Sequence, residues 1–134
     1  MKNLLPLIII IAISFTACKE TDSQINAVTN EKMRVELKAQ YPTLEVAYIG
    51  IAVKDFKDVT ITLGDKELFA ETDAKKEAIV KNIANMTYTM YEANNYLDKG
   101  KIIFTPIEDR LHNSEDPVKE YDMHLDELVK ANKD

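Results

Sequence analysis

The chain has 134 residues, of which 17 are basic and 23 are acidic, and its formal net charge is −6 at pH 7. It contains no cluster of lysines and arginines, and this argues against a nucleic-acid partner, because binding to phosphates depends on such clusters. The length allows one hydrophobic core, and the single cysteine, Cys18, has no second cysteine with which to form a disulfide within the chain.

The N-terminus has the pattern of an export signal. Lys2 precedes an apolar run from Leu4 to Phe15. This run is too short to cross a hydrocarbon core, which needs about 20 apolar residues in a helix. Ordinary signal-peptidase cleavage requires small residues at the first and third positions before the cut, and Ala17 satisfies the first whereas Phe15 fails the third. Cleavage before Cys18 therefore fits the sequence best.

Residues 1–18 resemble the signal of bacterial lipoproteins, in which a small residue precedes a cysteine that is lipidated before cleavage. Phe15 departs from the Leu that is usual at its position. The resemblance implies that residues 1–17 are a signal peptide and that residues 18–24 are a lipidated cysteine and a polar tether. The alternative is that Cys18 is an incidental thiol behind a conventional signal or an uncleaved anchor.

The residues after Cys18 refine the predicted location. The mixed basic and acidic segment 19–22 resembles the surface-export signals of Bacteroidota lipoproteins, although any solvated tether has a similar composition. We therefore expect a protein of the cell envelope that is attached to the membrane through the lipid on Cys18. The outer membrane is the expected site, on its periplasmic side or at the cell surface. No family is recognised for the mature part.

Residues 25–134 predict a single small α+β domain. A first helix is expected at Thr29–Gln40, because Thr29 can cap its start and Pro42 stops it. The uninterrupted apolar run Val46–Val53 predicts a strand with both faces covered. Val59–Leu63 alternates between apolar and polar residues, so it predicts a strand, and we expect a hairpin between it and a further strand at Glu67–Ala70.

The second half of the domain predicts a long helix, a strand and a last helix. Apolar residues at spacings of three and four predict the long helix at about Asp73–Tyr96. Ile102–Thr105 predicts a strand, which we place at an edge of the sheet because Pro106 cannot donate to a ladder. Asp116 as cap and Pro117 at the first helical position predict the start of the last helix.

The predicted element order is α-β-β-β-α-β-α. Strands that are adjacent in the sequence usually pair, so this order favours a two-layer α+β sandwich. We expect a mainly antiparallel sheet of about four strands, with the helices packed on it.

The last predicted helix carries a candidate metal site. His124 lies one helical turn after Glu120 and three residues before Glu127, so an imidazole and two carboxylates would lie on one helix face. Zinc sites with helical ligands use spacings of this kind. The alternative is a solvated face with ordinary pairing between charges one turn apart. His112, in a stretch without a predicted element, belongs either to a flexible recognition or metal loop or to a polar connector.

A second candidate site is a surface for a partner. Thr60 and Thr62 point away from the apolar side of their strand, and the loop after Val53 carries Phe56 between charged residues. Phe56 is either a plug in the core or an exposed anchor for a partner. These three residues form the predicted partner surface.

Known catalytic motifs are missing from the sequence. It has no Gly-rich phosphate loop, no serine nucleophile elbow and no metalloprotease helix motif. A lipidated Cys18 is not available as a nucleophile. We expect no cofactor, and a non-catalytic protein is favoured over an enzyme.

The sequence therefore predicts an envelope lipoprotein that acts as a binding or accessory module for a protein or a small ligand. Two alternatives stay open. The first is a small hydrolase or metal-binding protein that uses His124 with Glu120 or Glu127. The second is an inhibitor or immunity lipoprotein, which has the same small size and acidic charge.

Overall fold

The computed structural model describes residues 27–55, 57–91, 94–110 and 113–133. The described part of the first helix, α1, covers residues 27–40. The other elements in chain order are β1 Tyr48–Lys54, β2 Asp58–Gly64, α2 Lys66–Ala70, α3 Asp73–Met90, β3 Gly100–Thr105, β4 Lys119–Asp122 and α4 Leu125–Ala131. Short 3-10 helices lie at Pro42–Glu45 and Asn94–Tyr96.

The strands form one sheet in the order β1-β2-β3-β4. β1 and β2 are an antiparallel hairpin, and β3 and β4 are antiparallel as well. β2 and β3 are parallel, because the crossover through α2 and α3 returns the chain to the same end of the sheet. The predicted α+β class and the sheet of four strands are therefore confirmed, with two antiparallel pairings and one parallel pairing.

The helices lie on one face of the sheet, which we call the core face. Val59, Ile61 and Leu63 of β2 point to this face and are at most 1 % exposed. They join one cluster with apolar residues of α1, α3 and α4, among them Met33, Leu37, Val80, Ile83, Leu125 and Val129. The alternate residues of β2 and β3 lie on the opposite side, the outer face. The strict alternation at Val59–Leu63 therefore corresponds to a strand with one face toward the helices and one face away from them, as in a two-layer structure.

The predicted strand at Glu67–Ala70 is wrong, because these residues belong to the helix α2. Asp65 is the reason. Its Oδ1 accepts a hydrogen bond from the backbone N–H of Leu68 at 3.0 Å, which is the arrangement of a helix N-cap. A cap residue directly after β2 starts a helical turn where the apolar pair at 68–69 suggested a hairpin.

The long helix α3 starts as expected and ends early. Thr72 caps it through a hydrogen bond from the N–H of Lys75 to Oγ1, at 3.2 Å. The helix ends at Met90 and not at Tyr96, because Tyr91 takes an extended backbone conformation. The Tyr91 ring is buried, and its hydroxyl donates to Oδ1 of Asn30 at 2.7 Å. This contact joins the end of α3 to α1.

The expected edge position of the strand at Ile102–Thr105 is also wrong. β3 lies in the interior of the sheet, with β2 on one side and β4 on the other. Pro106 follows the last residue of the strand, so its missing N–H is not needed in the ladder.

The helix predicted to start at Asp116 does not form, and the chain enters β4 at Lys119 instead. Asp116 is used in a turn. Its carboxylate accepts from the backbone N–H of Asn113 at 2.9 Å and forms an ion pair with Arg110 at 2.8 Å. The last helix, α4, begins only at Leu125.

β1 was expected to be covered on both faces, and it lies instead at the edge of the sheet. All of its residues are half-buried or exposed. Within the described ranges, no helix is long and apolar enough to span a membrane.

Candidate functional site: a groove between two helices

Three of the residues singled out in the sequence, Cys18, Phe56 and His112, lie outside the described residues. The other two members of the predicted partner surface are on the outer face of β2. Thr60 is half-buried, whereas Thr62 is only 4 % exposed. Of the two threonines, only Thr60 therefore offers area to a partner.

The three candidate metal ligands are on different elements. Glu120 is a residue of β4 and forms an ion pair with Lys101 of β3, at 3.7 Å. His124 follows the strand, and Glu127 lies in the first turn of α4. Nδ1 of His124 is 3.7 Å from Oε1 of Glu127 and 3.9 Å from Oδ1 of Asp122. The structure thus brings His124 and Glu127 together, and it holds Glu120 in a cross-strand pair.

Of the three predicted ligands, only His124 and Glu127 adjoin each other, whereas zinc sites use at least three protein ligands. In the part of the chain that the structure describes, no group of three or more His, Cys, Asp or Glu side chains is arranged to hold a metal ion.

A groove lies between α3 on one side and the end of β4 with α4 on the other. Its volume is about 540 Å³. Its floor is apolar and is formed by Val80, Ala84, Met123 and Leu128, and the exposed Ala131 also lines it. Its rim carries polar side chains, among them Glu77, Lys81, Asn85, Asp122, His124 and Glu127. We call this the α3–α4 groove. An apolar concavity with a few polar groups around it is the usual form of a small-molecule site.

His124 shapes one end of the α3–α4 groove. Its backbone is in the left-handed conformation, with φ 52° and ψ 44°. Non-glycine residues adopt this conformation at a cost, and such residues concentrate at functional positions. The carboxylate of Asp122 stabilises the turn by accepting from the N–H of His124 at 2.7 Å. The His124 carbonyl in turn accepts from the N–H groups of Glu127 and Leu128.

This turn has a direct consequence for the groove. It ends β4 and starts α4 within two residues, so α4 folds back toward α3 and leaves the His124 imidazole on the rim. The imidazole is 62 % exposed, next to the Glu127 carboxylate. The rim therefore presents a hydrogen-bonding imidazole beside a carboxylate, above an apolar floor.

A polar contact between Tyr121 and Asp73 fixes the other side of the groove. The Tyr121 hydroxyl donates to Oδ1 of Asp73 at 2.8 Å, and Nζ of Lys119 lies 3.4 Å from the same oxygen. The hydrogen bond from Tyr121, followed by the interactions with Lys119, lowers the pKa of Asp73. Burial, and then the hydrogen bond to Asp73, raise the pKa of Tyr121 to about 12. The start of α3 is thereby attached to β4.

Lys76 is another ionisable group of α3, and it has a structural role. It is 1 % exposed, and its ammonium donates to the backbone carbonyls of Phe69 and Glu71, at 2.5 and 3.0 Å. The rings of Phe69 and Phe104 lie within 6 Å of it. Burial lowers the pKa of Lys76. Its ammonium satisfies the carbonyls at the end of α2, so it does not face the α3–α4 groove.

The sequence analysis identified His124 and Glu127 and missed the groove. The floor residues Val80 and Ala84 belong to α3 and directly follow Ile79 and Ile83, two of the apolar residues whose spacing predicts this helix. They form a groove floor only because α4 packs beside α3. The sequence analysis could not predict this packing, because it assigned the residues of β4 to the last helix.

Comparison with known proteins found no family model, no curated protein and no solved structure that matches the chain.

Proposed function

We propose that the protein is a lipid-anchored protein of the cell envelope that acts as a non-catalytic binding module, with the α3–α4 groove as its ligand site. The observation that supports binding is the form of the groove, an apolar floor of about 540 Å³ under a rim of polar side chains. The lipid anchor rests on the N-terminal sequence, where Ala17-Cys18 follows a short apolar run.

The dimensions of the groove favour a small ligand over a docked helix. Ligand pockets usually have volumes of about 300–1,000 Å³, and the groove falls in this range. Its shorter wall, α4, has seven residues, which correspond to a length of about 10 Å. We therefore propose a ligand with an apolar body that covers the floor and a polar group that reaches the rim at His124 and Glu127.

A lipid anchor at Cys18 would make modest affinity sufficient. Each buried CH₂ of an acyl chain contributes about 0.8 kcal/mol to membrane binding, so two or three chains hold a protein stably where one does not. Attachment to the membrane would raise the local concentration of the groove near any ligand that is itself at the membrane. We propose a non-catalytic role because the polar side chains of the groove lie at its rim, and the floor that would contact the body of a ligand is apolar.

Photoaffinity labelling tests the ligand site. Diazirine fragments with an aromatic body and an amide group would be irradiated with membranes that contain the full-length protein, and labelled peptides would be located by mass spectrometry. We expect labels in peptides of α3 and α4. Ala131→Trp, at an exposed groove residue, should reduce labelling at least severalfold. Ala78→Trp, at an exposed α3 residue outside the groove lining, is the matched control. Labels that are unaffected by Ala131→Trp would contradict the proposed site.

Metabolic labelling with an alkyne palmitate tests the anchor independently. The wild-type protein should carry the label and stay with the membrane fraction. A Cys18→Ser variant should lose both the label and the mass of the acyl chains. If the variant kept the label, the anchor would be elsewhere, and the proposal for the groove would be unaffected.

A further inference from the structure

The rim of the α3–α4 groove has an excess of negative charge. Three of its side chains are the carboxylates of Glu77, Asp122 and Glu127, and among the described residues that line the groove Lys81 is the only lysine or arginine. Glu77 and Lys81 are four residues apart on α3, so their charges lie one helical turn apart and offset each other. The excess is therefore at the end of the groove that carries Asp122 and Glu127.

Asp122 and Glu127 are not neutralised by a basic side chain. Within the described residues, the His124 imidazole is the only ion-pair partner of either carboxylate. Nδ1 of His124 is 3.7 Å from Oε1 of Glu127 and 3.9 Å from Oδ1 of Asp122, so both carboxylates adjoin the same imidazole. Their side chains are 72 % and 66 % exposed and can be reached by a ligand from solvent.

This end of the rim suits an ammonium group. A primary ammonium has three N–H donors and no acceptor, whereas a carboxylate only accepts. Hydrogen bonds between such charged groups are about twice as strong as those between neutral groups. The formal net charge of the chain, −6 at pH 7, attracts cations to the protein as a whole. The rim thus favours a positive charge on the ligand and disfavours a negative one.

We propose that the α3–α4 groove binds a small amphipathic amine. Its ammonium group lies at Asp122 and Glu127, and its apolar body covers the groove floor. This inference rests on the proposed function, because it names the chemical class of the ligand for the same groove. The apolar floor selects an organic amine over a metal ion, which would make no use of the floor.

The same charges select an amine without an anionic group beside it. The carboxylate of an amino acid, or the phosphate of a zwitterionic lipid headgroup, would approach the carboxylates of Asp122 and Glu127, and the approach of like charges is unfavourable. Lys81 does not compensate for this, because Glu77 lies one turn before it on α3. The ligand is therefore a free amine, and neither an amino acid nor a lipid headgroup.

The test is competition against the photoaffinity label in full-length protein solubilised in an uncharged detergent. The diazirine fragment with an aromatic body and an amide group labels the peptides of α3 and α4, and competitors that share one phenylalkyl body protect them. Phenethylamine carries a positive charge, phenylpropanoate a negative one, phenylpropanamide none and free phenylalanine both. We expect phenethylamine to protect at a concentration about tenfold lower than phenylpropanoate does, with the other two compounds in between.

Two variants show whether the rim is the cause of this preference. Glu127→Gln removes one of the two carboxylates and should reduce the tenfold preference to about threefold, since about half of the charge at this end is lost. Glu67→Gln is the matched control, because Glu67 is an exposed residue in the first turn of α2, as Glu127 is in the first turn of α4, and it does not line the groove. It should keep the full preference.

Each other outcome has a distinct meaning. Equal protection by phenethylamine and phenylpropanoate would overturn the amine and leave the groove as a ligand site. Equal protection by phenethylamine and phenylalanine would overturn the choice of an amine without an anionic group. A full preference in Glu127→Gln would mean that the net charge of the protein, and not the rim, attracts the amine. A complete lack of label in α3 and α4 would contradict the proposed function itself, and the amine with it.

Discussion

At the scale of single residues, two residues have structural roles that their residue types do not predict. His124 was singled out for its imidazole, yet its backbone conformation is what positions α4 against α3. Lys76 reads in the sequence as an ordinary surface residue of a charged helix, and it is the largest fully buried side chain described. Both roles depend on contacts with other elements, so local sequence gives no sign of them.

We predict that glycine at position 124 gives a more stable protein than alanine does. The left-handed conformation costs an ordinary residue roughly 1–2 kcal/mol and costs glycine almost nothing. The unfolding free energy of His124→Gly should exceed that of His124→Ala by about 1 kcal/mol, as measured by urea denaturation. At the exposed position 78 of α3 the order should reverse, with Ala78→Gly losing about 1 kcal/mol. The same order at both positions would show that position 124 is not strained.

We predict that removal of the Lys76 ammonium is costly although the side chain carries a buried charge. Lys76→Met keeps most of the apolar stem and leaves the Phe69 and Glu71 carbonyls without their donor. A buried acceptor that loses its partner costs about 1–3 kcal/mol, so the unfolding free energy should fall by this amount. Lys75→Met is the control, because Lys75 is exposed and its ion pair with Glu71 contributes less than about 1 kcal/mol. Equal losses in the two variants would mean that the carbonyls are satisfied in another way.

At the scale of elements, the sequence predicted those that follow a strong local pattern. The alternation at Val59–Leu63 and the start of the long helix at Asp73 were both confirmed. The wrong element predictions arose where one residue is compatible with two local structures. Asp116 before Pro117 has the pattern of a helix start, but its carboxylate is used by Arg110 and Asn113 in a turn. The choice between these roles depends on Arg110, which lies six residues earlier. Rules for helix starts consider only the residues next to the cap, so they do not take Arg110 into account.

The cap of α2 gives a prediction at this scale. Asp65 is 2 % exposed; its Oδ1 holds the first turn of α2, and its Oδ2 has no hydrogen-bond partner within the described residues. Asp65→Ala removes the cap and should lower the unfolding free energy by about 1–2 kcal/mol. Asp65→Ser retains an oxygen that can accept from Leu68 and should recover most of this loss. Chemical denaturation of the three proteins measures the difference. An Asp65→Ser variant no more stable than Asp65→Ala would mean that the cap is not what stabilises this turn.

At the scale of the whole molecule, α3 is the element on which the rest is assembled. Tyr91, just after its end, bonds to Asn30 of α1, and Asp73, at its start, accepts from Tyr121 of β4. The two tyrosines therefore attach the first and the last parts of the chain to the same helix. The second of these attachments bears on the α3–α4 groove, because Tyr121 lies on the strand that leads into His124.

These attachments predict how stability depends on pH. Burial raises the pKa of Tyr91 to about 12, and burial together with the Asp73 carboxylate raises the pKa of Tyr121 to about 12. Since the unfolded chain releases these protons at about pH 10, the folded protein binds more protons between pH 10 and 12. The stabilisation is complete below pH 10 and is lost as pH rises toward 12.

Urea denaturation at a series of alkaline pH values measures this loss. Tyr91→Phe and Tyr121→Phe should each make the decline less steep, because each removes one of the two shifted groups. Tyr96→Phe, at a ring that is 74 % exposed, is the control and should leave the decline unchanged. Tyr121→Phe should also reduce fragment labelling of the α3–α4 groove, because the hydrogen bond from β4 to the start of α3 is lost and the exposed ion pair of Lys119 with Asp73 is left. A Tyr121→Phe protein with a full alkaline decline and unchanged labelling would show that the groove does not depend on this attachment.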